Sequence, residues 1–136
     1  MVLDCSVTMG WCFESEADEY TRAALLALAR GEAVVPPVWL LEVVNVLLVA
    51  ERRRRISHAA ALRFLGLLGE LPIRVAASVE VTELTGLMAL GRGHGLSAYD
   101  AVYLHVAMRE RLPLATRDGA LRTAVRAAGL RLFEAE

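Results

Sequence analysis

Four carboxylates stand out along the 136-residue chain: Asp4, Glu42, Asp100 and Asp118. Asp4 closes the short apolar run Val2-Leu3, Asp100 ends Leu96-Ser97-Ala98-Tyr99-Asp100, and Asp118 follows Ala115-Thr116-Arg117 and precedes Gly119. Glu42 is set among Val38, Leu41, Val43, Val44, Val46, Leu47, Leu48 and Val49, a helical stretch apolar nearly all round and so expected to be buried. A desolvated carboxylate there needs a cation or an arginine beside it, or its pKa rises until it is neutral. Asn45, one turn along, is a candidate to hold Glu42 or a bound water. Each acid also has a structural reading. Asp4 can bond its own backbone in an Asx-turn, Asp100 pairs with Ser97 as in a capping box, Asp-Gly at 118–119 is turn chemistry, and Glu42 can take an arginine. In combination, with no His or Cys cluster, they make an oxygen-only donor set. Such a set suits a hard cation, Mg²⁺ or Mn²⁺, shared with substrate phosphates.

The elements that must position these acids alternate. Strands are expected at Val2 to Leu3, Ala33 to Val35, Pro72 to Ala76 and Pro113 to Ala115, with Arg131 to Phe133 as a final edge strand. Helices are expected from Glu16 to Arg30 with Gly31 as C-cap, from Val38 to Arg54 after the Pro36-Pro37 break, and from the Ser57 cap to Glu70. Three more should run from Val79 to Leu90, from the Ser97 cap to Glu110, and from Gly119 to Ala128. Gly91, Gly93 and Gly95 read as a loose turn. Short strands alternating with helices imply parallel crossovers, hence an α/β fold: a three-layer α/β/α sandwich around a central parallel sheet of four or five short strands. Open parallel sheets place their sites at the carboxyl ends of the strands, where Asp4 and Asp118 fall.

Length fits a single domain, 1–136, and a composition 56% hydrophobic and 23% charged fits a folded core. The net charge of -1 supplies no bulk attraction to nucleic acid, so phosphate must meet local basic groups or bound cations. All fifteen basic residues are arginine, which excludes Schiff-base lysines and the P-loop lysine. Cys5 and Cys12 form neither a CxxC motif nor a disulfide framework, and no signal-peptide pattern opens the chain, so a reducing cytoplasmic location is expected. The apolar stretch from Val34 to Ala50 falls short of the roughly 20 residues of a membrane span and contains Pro36-Pro37 and Glu42, so no membrane role is expected. Arg52 to Arg55 read first as a solvated helix end and second as phosphate contacts. Trp11, Phe13, Leu25 and Leu28 read first as core and second as interface residues.

Val2-Leu3-Asp4-Cys5-Ser6, Glu42 to Leu47, Leu96 to Leu104 and Ala115-Thr116-Arg117-Asp118 resemble, in order and spacing, the signature blocks of PIN-domain ribonucleases. The likeness is greatest to the VapC-type toxins of toxin-antitoxin pairs, and the Ser-Ala-Tyr-Asp-Ala block is its most specific part. The resemblance implies that Asp4, Glu42, Asp100 and Asp118 bind one or two Mg²⁺ or Mn²⁺ ions, with Ser6 and Thr116 lining the acidic pocket. It implies a metal-dependent endoribonuclease that hydrolyses RNA phosphodiester bonds, with a cognate antitoxin over the site and a toxin homodimer. The alternative is a catalytically silent PIN-fold module that binds RNA or a partner protein. Phosphatases of the haloacid-dehalogenase type and receiver domains fit less well, since both use a lysine and the former a second Asp where this chain has Ser6.

Overall fold

Val2 and Leu3, Ala33 to Val35, and Leu114 and Ala115 are all fully buried, as strands of a parallel sheet covered on both faces must be. In the computed structural model, which describes residues 1–135, they form β1 (Val2–Leu3), β2 (Ala33–Val35) and β4 (Leu114–Ala115), joined by β3 (Ile73–Val75). All pairings are parallel and the order is β3-β2-β1-β4. The chain winds outward from β1 through β2 to β3, then returns to the other side of β1 as β4. The carboxyl ends of β1 and β4 therefore flank the switch point of the sheet, the place where open α/β sheets bind ligands. Asp4 follows β1 there and Thr116 follows β4.

The helices are α1 (Cys5–Cys12), α2 (Glu19–Ala27), α3 (Pro37–Arg52), α4 (His58–Glu70), α5 (Leu84–His94), α6 (Ala98–Glu110) and α7 (Gly119–Ala127). α1 packs on α2 and α3, and α6 packs on α5, α7 and β1. The sheet is the middle layer of an α/β/α sandwich, as the alternating pattern implies.

Several boundaries differ from the sequence expectation. The single helix expected from Glu16 to Arg30 is replaced by α1 directly after Asp4, a 3-10 turn at Glu14–Glu16, and α2 behind a capping box of Asp18 with Thr21. α1 reads Cys-Ser-Val-Thr-Met-Gly-Trp-Cys, with no side-chain cap, so burial of Cys5, Val7, Thr8, Met9 and Gly10 rather than local propensity makes it helical. Gly31 caps nothing: α2 ends at Leu28 in ordinary helical geometry, and Gly95 and Gly129 are the described glycines with positive φ. Gly91 and Gly93 lie inside α5, which Gly95 alone closes at φ 64. A 3-10 turn at Val81–Glu83 precedes that helix. The edge strand expected at Arg131 to Phe133 is reduced to one bridge, Leu114 to Leu132, so the sheet has four strands.

α3 begins at the Pro36-Pro37 step as expected, but it is not buried all round. Trp39, Val43, Leu47 and Ala50 face the core, whereas Leu40, Leu41, Val44 and Leu48 face outward. Of the four interface candidates, Phe13 and Leu28 are core, Trp11 is half-buried with its Nε1 donating to Thr21 O at 2.7 Å, and Leu25 is exposed. Among the described residues no helix is long and apolar enough to cross a membrane.

Candidate active site

A cavity of about 580 Å³ opens at the switch point, and Asp4, Glu42, Asp100 and Asp118 all line it. The fold thus brings together four acids from distant parts of the sequence. Asp4 leaves β1 and is 6% exposed. Its Oδ2 accepts two hydroxyls, Ser6 Oγ at 2.7 Å from α1 and Thr116 Oγ1 at 2.7 Å from the end of β4. The second bond ties the two strands across the switch point. Ser6 Oγ also accepts the Arg117 N–H at 3.0 Å and Thr116 Oγ1 accepts the Asp118 N–H at 3.1 Å, so one hydroxyl network orders the whole turn after β4.

Asp118 is the N-cap of α7, its Oδ1 accepting the Leu121 N–H at 2.7 Å. Capping holds this exposed acid at the cavity rim. Asp100 lies in the first turn of α6, where Ser97 Oγ accepts its N–H at 3.2 Å. Losing that cap in Ser97→Ala should lower stability by about 1 kcal/mol, read by chemical denaturation; an unchanged midpoint would show that the first turn needs no cap.

Glu42, on α3, is half-buried, and its Oε1 accepts the Tyr103 hydroxyl at 2.6 Å. Asn45 is exposed and outside the cavity lining; its position one turn along turns it outward beside Val44. Tyr103, from α6, thus bonds the carboxylate that Asn45 was expected to hold. Glu16, from the 3-10 turn, is a further acid in the lining and stands 3.9 Å from Arg55. Arg55 also stacks on Phe13 at 4.6 Å, so the arginine run is not wholly a solvated helix end.

The electrostatics follow from the geometry. Burial pushes the Asp4 carboxyl above the usual range against the pull of its hydroxyl donors, with Asp118 adding repulsion. Burial also raises Glu42, against the Tyr103 bond, and Asp4 and Asp100 raise it further. Asp100 is raised by burial, then by Asp118 and Asp4. None of the four acids forms an ion pair among the described residues; Arg117, which shares the cavity lining, pairs with Asp18 instead. Cys5 also lines the cavity, where burial and then the neighbouring acids push its thiol up to about 12, so without a bound cation it is a neutral thiol and no nucleophile.

This donor set consists of carboxylates and hydroxyls, the ligands of a hard divalent cation, around a space with uncompensated negative charge. In that sense the residues fit a metal ion. The acids stand around the cavity without being closed on a common point: among the described residues no three His, Cys, Asp or Glu side chains are grouped tightly enough to hold an ion between them.

The acids thus gather at the switch point of a parallel α/β sandwich, where open sheets of this kind bind their ligands. The family model for the PIN domain matches residues 1–126, and the chain belongs to the PIN-domain family, whose members are generally nucleases. No curated protein matches the chain. Among solved structures, it is similar to PAE2754 from Pyrobaculum aerophilum, with TM-score 0.67 and 22% identity over 94% of each chain. It is also similar to a toxin-antitoxin complex from Klebsiella pneumoniae, with TM-score 0.60 and 18% identity over 86% of this chain and 85% of that one. At these identities the likeness is one of fold.

Proposed function

We propose that this PIN domain is a metal-dependent endoribonuclease that hydrolyses RNA phosphodiester bonds and acts as the toxin of a toxin-antitoxin pair. The observation that carries the reading is the cavity itself, four acids from four segments with no arginine paired to any of them. Such an arrangement is costly to a fold unless a cation completes it. Asp4, Glu42, Asp100 and Asp118 would hold Mg²⁺ or Mn²⁺, which when bound lowers the pKa of water and offsets charge on a phosphate. Ser6 and Thr116 fix Asp4, and the Asp118 cap fixes the rim. Arg117, the arginine in the cavity lining, is braced by Glu16 O at 2.6 Å and Asp18 Oδ2 at 3.4 Å and supplies positive charge to the RNA backbone.

The structural likeness to a toxin-antitoxin complex supports a cognate antitoxin as partner. The outward apolar residues of α3, Leu40, Leu41, Val44 and Leu48, suit a protein interface, and we assign them to the antitoxin or to a toxin homodimer. The proposal takes residues 1–136 as one domain working in the cytoplasm, where Cys5 and Cys12 remain free thiols.

The test is incubation of the purified chain, freed of any antitoxin, with labelled cellular RNA in Mn²⁺ or Mg²⁺. Cleavage is expected with metal, none in excess EDTA, and none from Asp100→Asn. Full activity in EDTA would refute the metal dependence. A folded, metal-bound protein that leaves all RNA intact would instead point to a silent module that binds RNA or a partner protein.

A further inference from the structure

Tyr103 is fully buried in α6, one turn inside Asp100, among the apolar core residues Val102, Leu104 and Val106. A phenylalanine would fill the same space without burying a hydroxyl, which must then find a partner. The partner is Glu42, 61 positions away on α3, at 2.6 Å. Glu42 does not need this bond in order to be solvated, since it is half-buried and faces the open cavity. What the bond does is restrict a flexible side chain: Oε1 accepts the hydroxyl, and Oε2 receives no side-chain hydrogen bond among the described residues. Asp4 shows the same arrangement. Both its hydroxyl donors converge on Oδ2, and Oδ1 receives no side-chain hydrogen bond. At Asp118, Oδ1 is taken by the Leu121 N–H.

We propose that Tyr103 is a positioning residue that occupies one oxygen of Glu42, so that this carboxylate offers a single oxygen to the cavity and the site favours Mg²⁺ over Ca²⁺. The physical ground is the difference between the two cations. Ca²⁺ gathers six to eight oxygens and readily takes both oxygens of one carboxylate, whereas Mg²⁺ keeps several waters and is held through one or two carboxylates. An oxygen that accepts a hydroxyl keeps a lone pair but is held toward its donor, so the carboxylate turns less readily to chelate the larger ion through both oxygens, while one oxygen suffices for the smaller. The inference rests on the metal-site reading above.

The experiment measures Mn²⁺ bound to the full chain by its electron paramagnetic signal, and its displacement by Mg²⁺ or by Ca²⁺, for the wild type and Tyr103→Phe. The variant keeps the ring and loses only the hydroxyl. Its Mg²⁺ affinity should fall by about tenfold, the lower end of what an outer ligand partner contributes. Its Ca²⁺ affinity should not fall, because Glu42 can then offer both oxygens. The preference for Mg²⁺ over Ca²⁺ therefore narrows by about the same factor. A purely structural role would weaken both cations alike or neither, so an unchanged preference overturns the proposal. Should Tyr103→Phe fail to fold, Glu42→Asp, one methylene short of the hydroxyl, should narrow the same preference, and retention of the wild-type value would overturn it equally. A wild type that takes up no Mn²⁺ at all refutes the metal-site reading itself, a result distinct from a bound metal whose selectivity ignores Tyr103.

Discussion

On the proposed function, replacing Asp4 with Asn will reduce RNA cleavage by more than about 100-fold, beyond the upper end of what outer ligand partners contribute, and will raise the melting temperature of the metal-free protein. Both effects come from one observation: Asp4 is a nearly buried acid held by Ser6 and Thr116, with no cation paired to it. Asn retains an oxygen for both hydroxyls, so the network survives, but it removes the charge that a metal would meet. The stability gain has a defined pH dependence. Burial holds the folded Asp4 pKa above its ordinary 3.8, so its favourable contribution is fully present below that value and is lost as pH rises through the folded pKa. Asn is neutral throughout. The excess melting temperature of Asp4→Asn over the wild type should therefore be small near about pH 4 and should grow toward about pH 7.5, in EDTA. Using the difference between two proteins cancels groups of opposite sign, such as Asp18, whose pKa its helix-capping bonds lower. Saturating Mn²⁺ should close the gap at the higher pH by stabilising only the wild type. An Asn variant less stable than wild type at every pH would show that the ionised carboxylate is structural, and would count against the site.

How much of this was legible in the sequence depends on the range over which each feature is determined. Ser97 and Asp100 lie three residues apart, so their capping relation is written locally, and α6 runs from Ala98 to Glu110 as its pattern requires. The Pro36-Pro37 start of α3 and the apolar runs of β1 and β2 are local in the same sense. α1 was not legible, because its helicity comes from packing under α2 and α3. The same applies to the outward face of α3: a helix apolar nearly all round signals burial by its own chain and burial by another chain equally well. At the site, the acids could be picked out because Asp and Glu are conspicuous at strand ends and in apolar helices. Of their supports, Ser6 and Thr116 were indicated only by the resemblance to the PIN-domain family, since a hydroxyl beside an Asp in a turn reads equally well as capping. Tyr103 reads as one more large residue of a core helix, and its bond to Glu42 exists only once α3 and α6 meet.

The substitution expected to damage the fold most is the smallest, Gly10→Ala. In an exposed helix this change is stabilising, because glycine is about 1 kcal/mol worse than alanine there. At Gly10 the sign reverses. A Cβ would stand 2.5 Å from Thr21 Cγ2, 2.7 Å from its Cβ and 2.8 Å from its Oγ1. Thr21 cannot turn away. Its Oγ1 accepts from Asp18 N and donates to Asp18 O, its N–H reaches Asp18 Oδ1, and its carbonyl accepts Trp11 Nε1. The added methyl must therefore push α1 from α2, a strain of about 1–3 kcal/mol, or roughly 3–6 °C in Tm for each kcal/mol at this chain length. Gly66→Ala, where nothing lies within 4 Å, is the matched control and should be neutral or stabilising in the same thermal scan. If the two variants melt alike, α1 does not rest on Thr21 as described. The displacement also reaches the site, because α1 carries Ser6, which bonds Asp4 on one side and the Arg117 backbone on the other. Cleavage by Gly10→Ala, measured well below its melting temperature, should consequently fall even where the protein remains folded, since the turn that presents Asp4 and Asp118 to one cavity is set by where α1 lies.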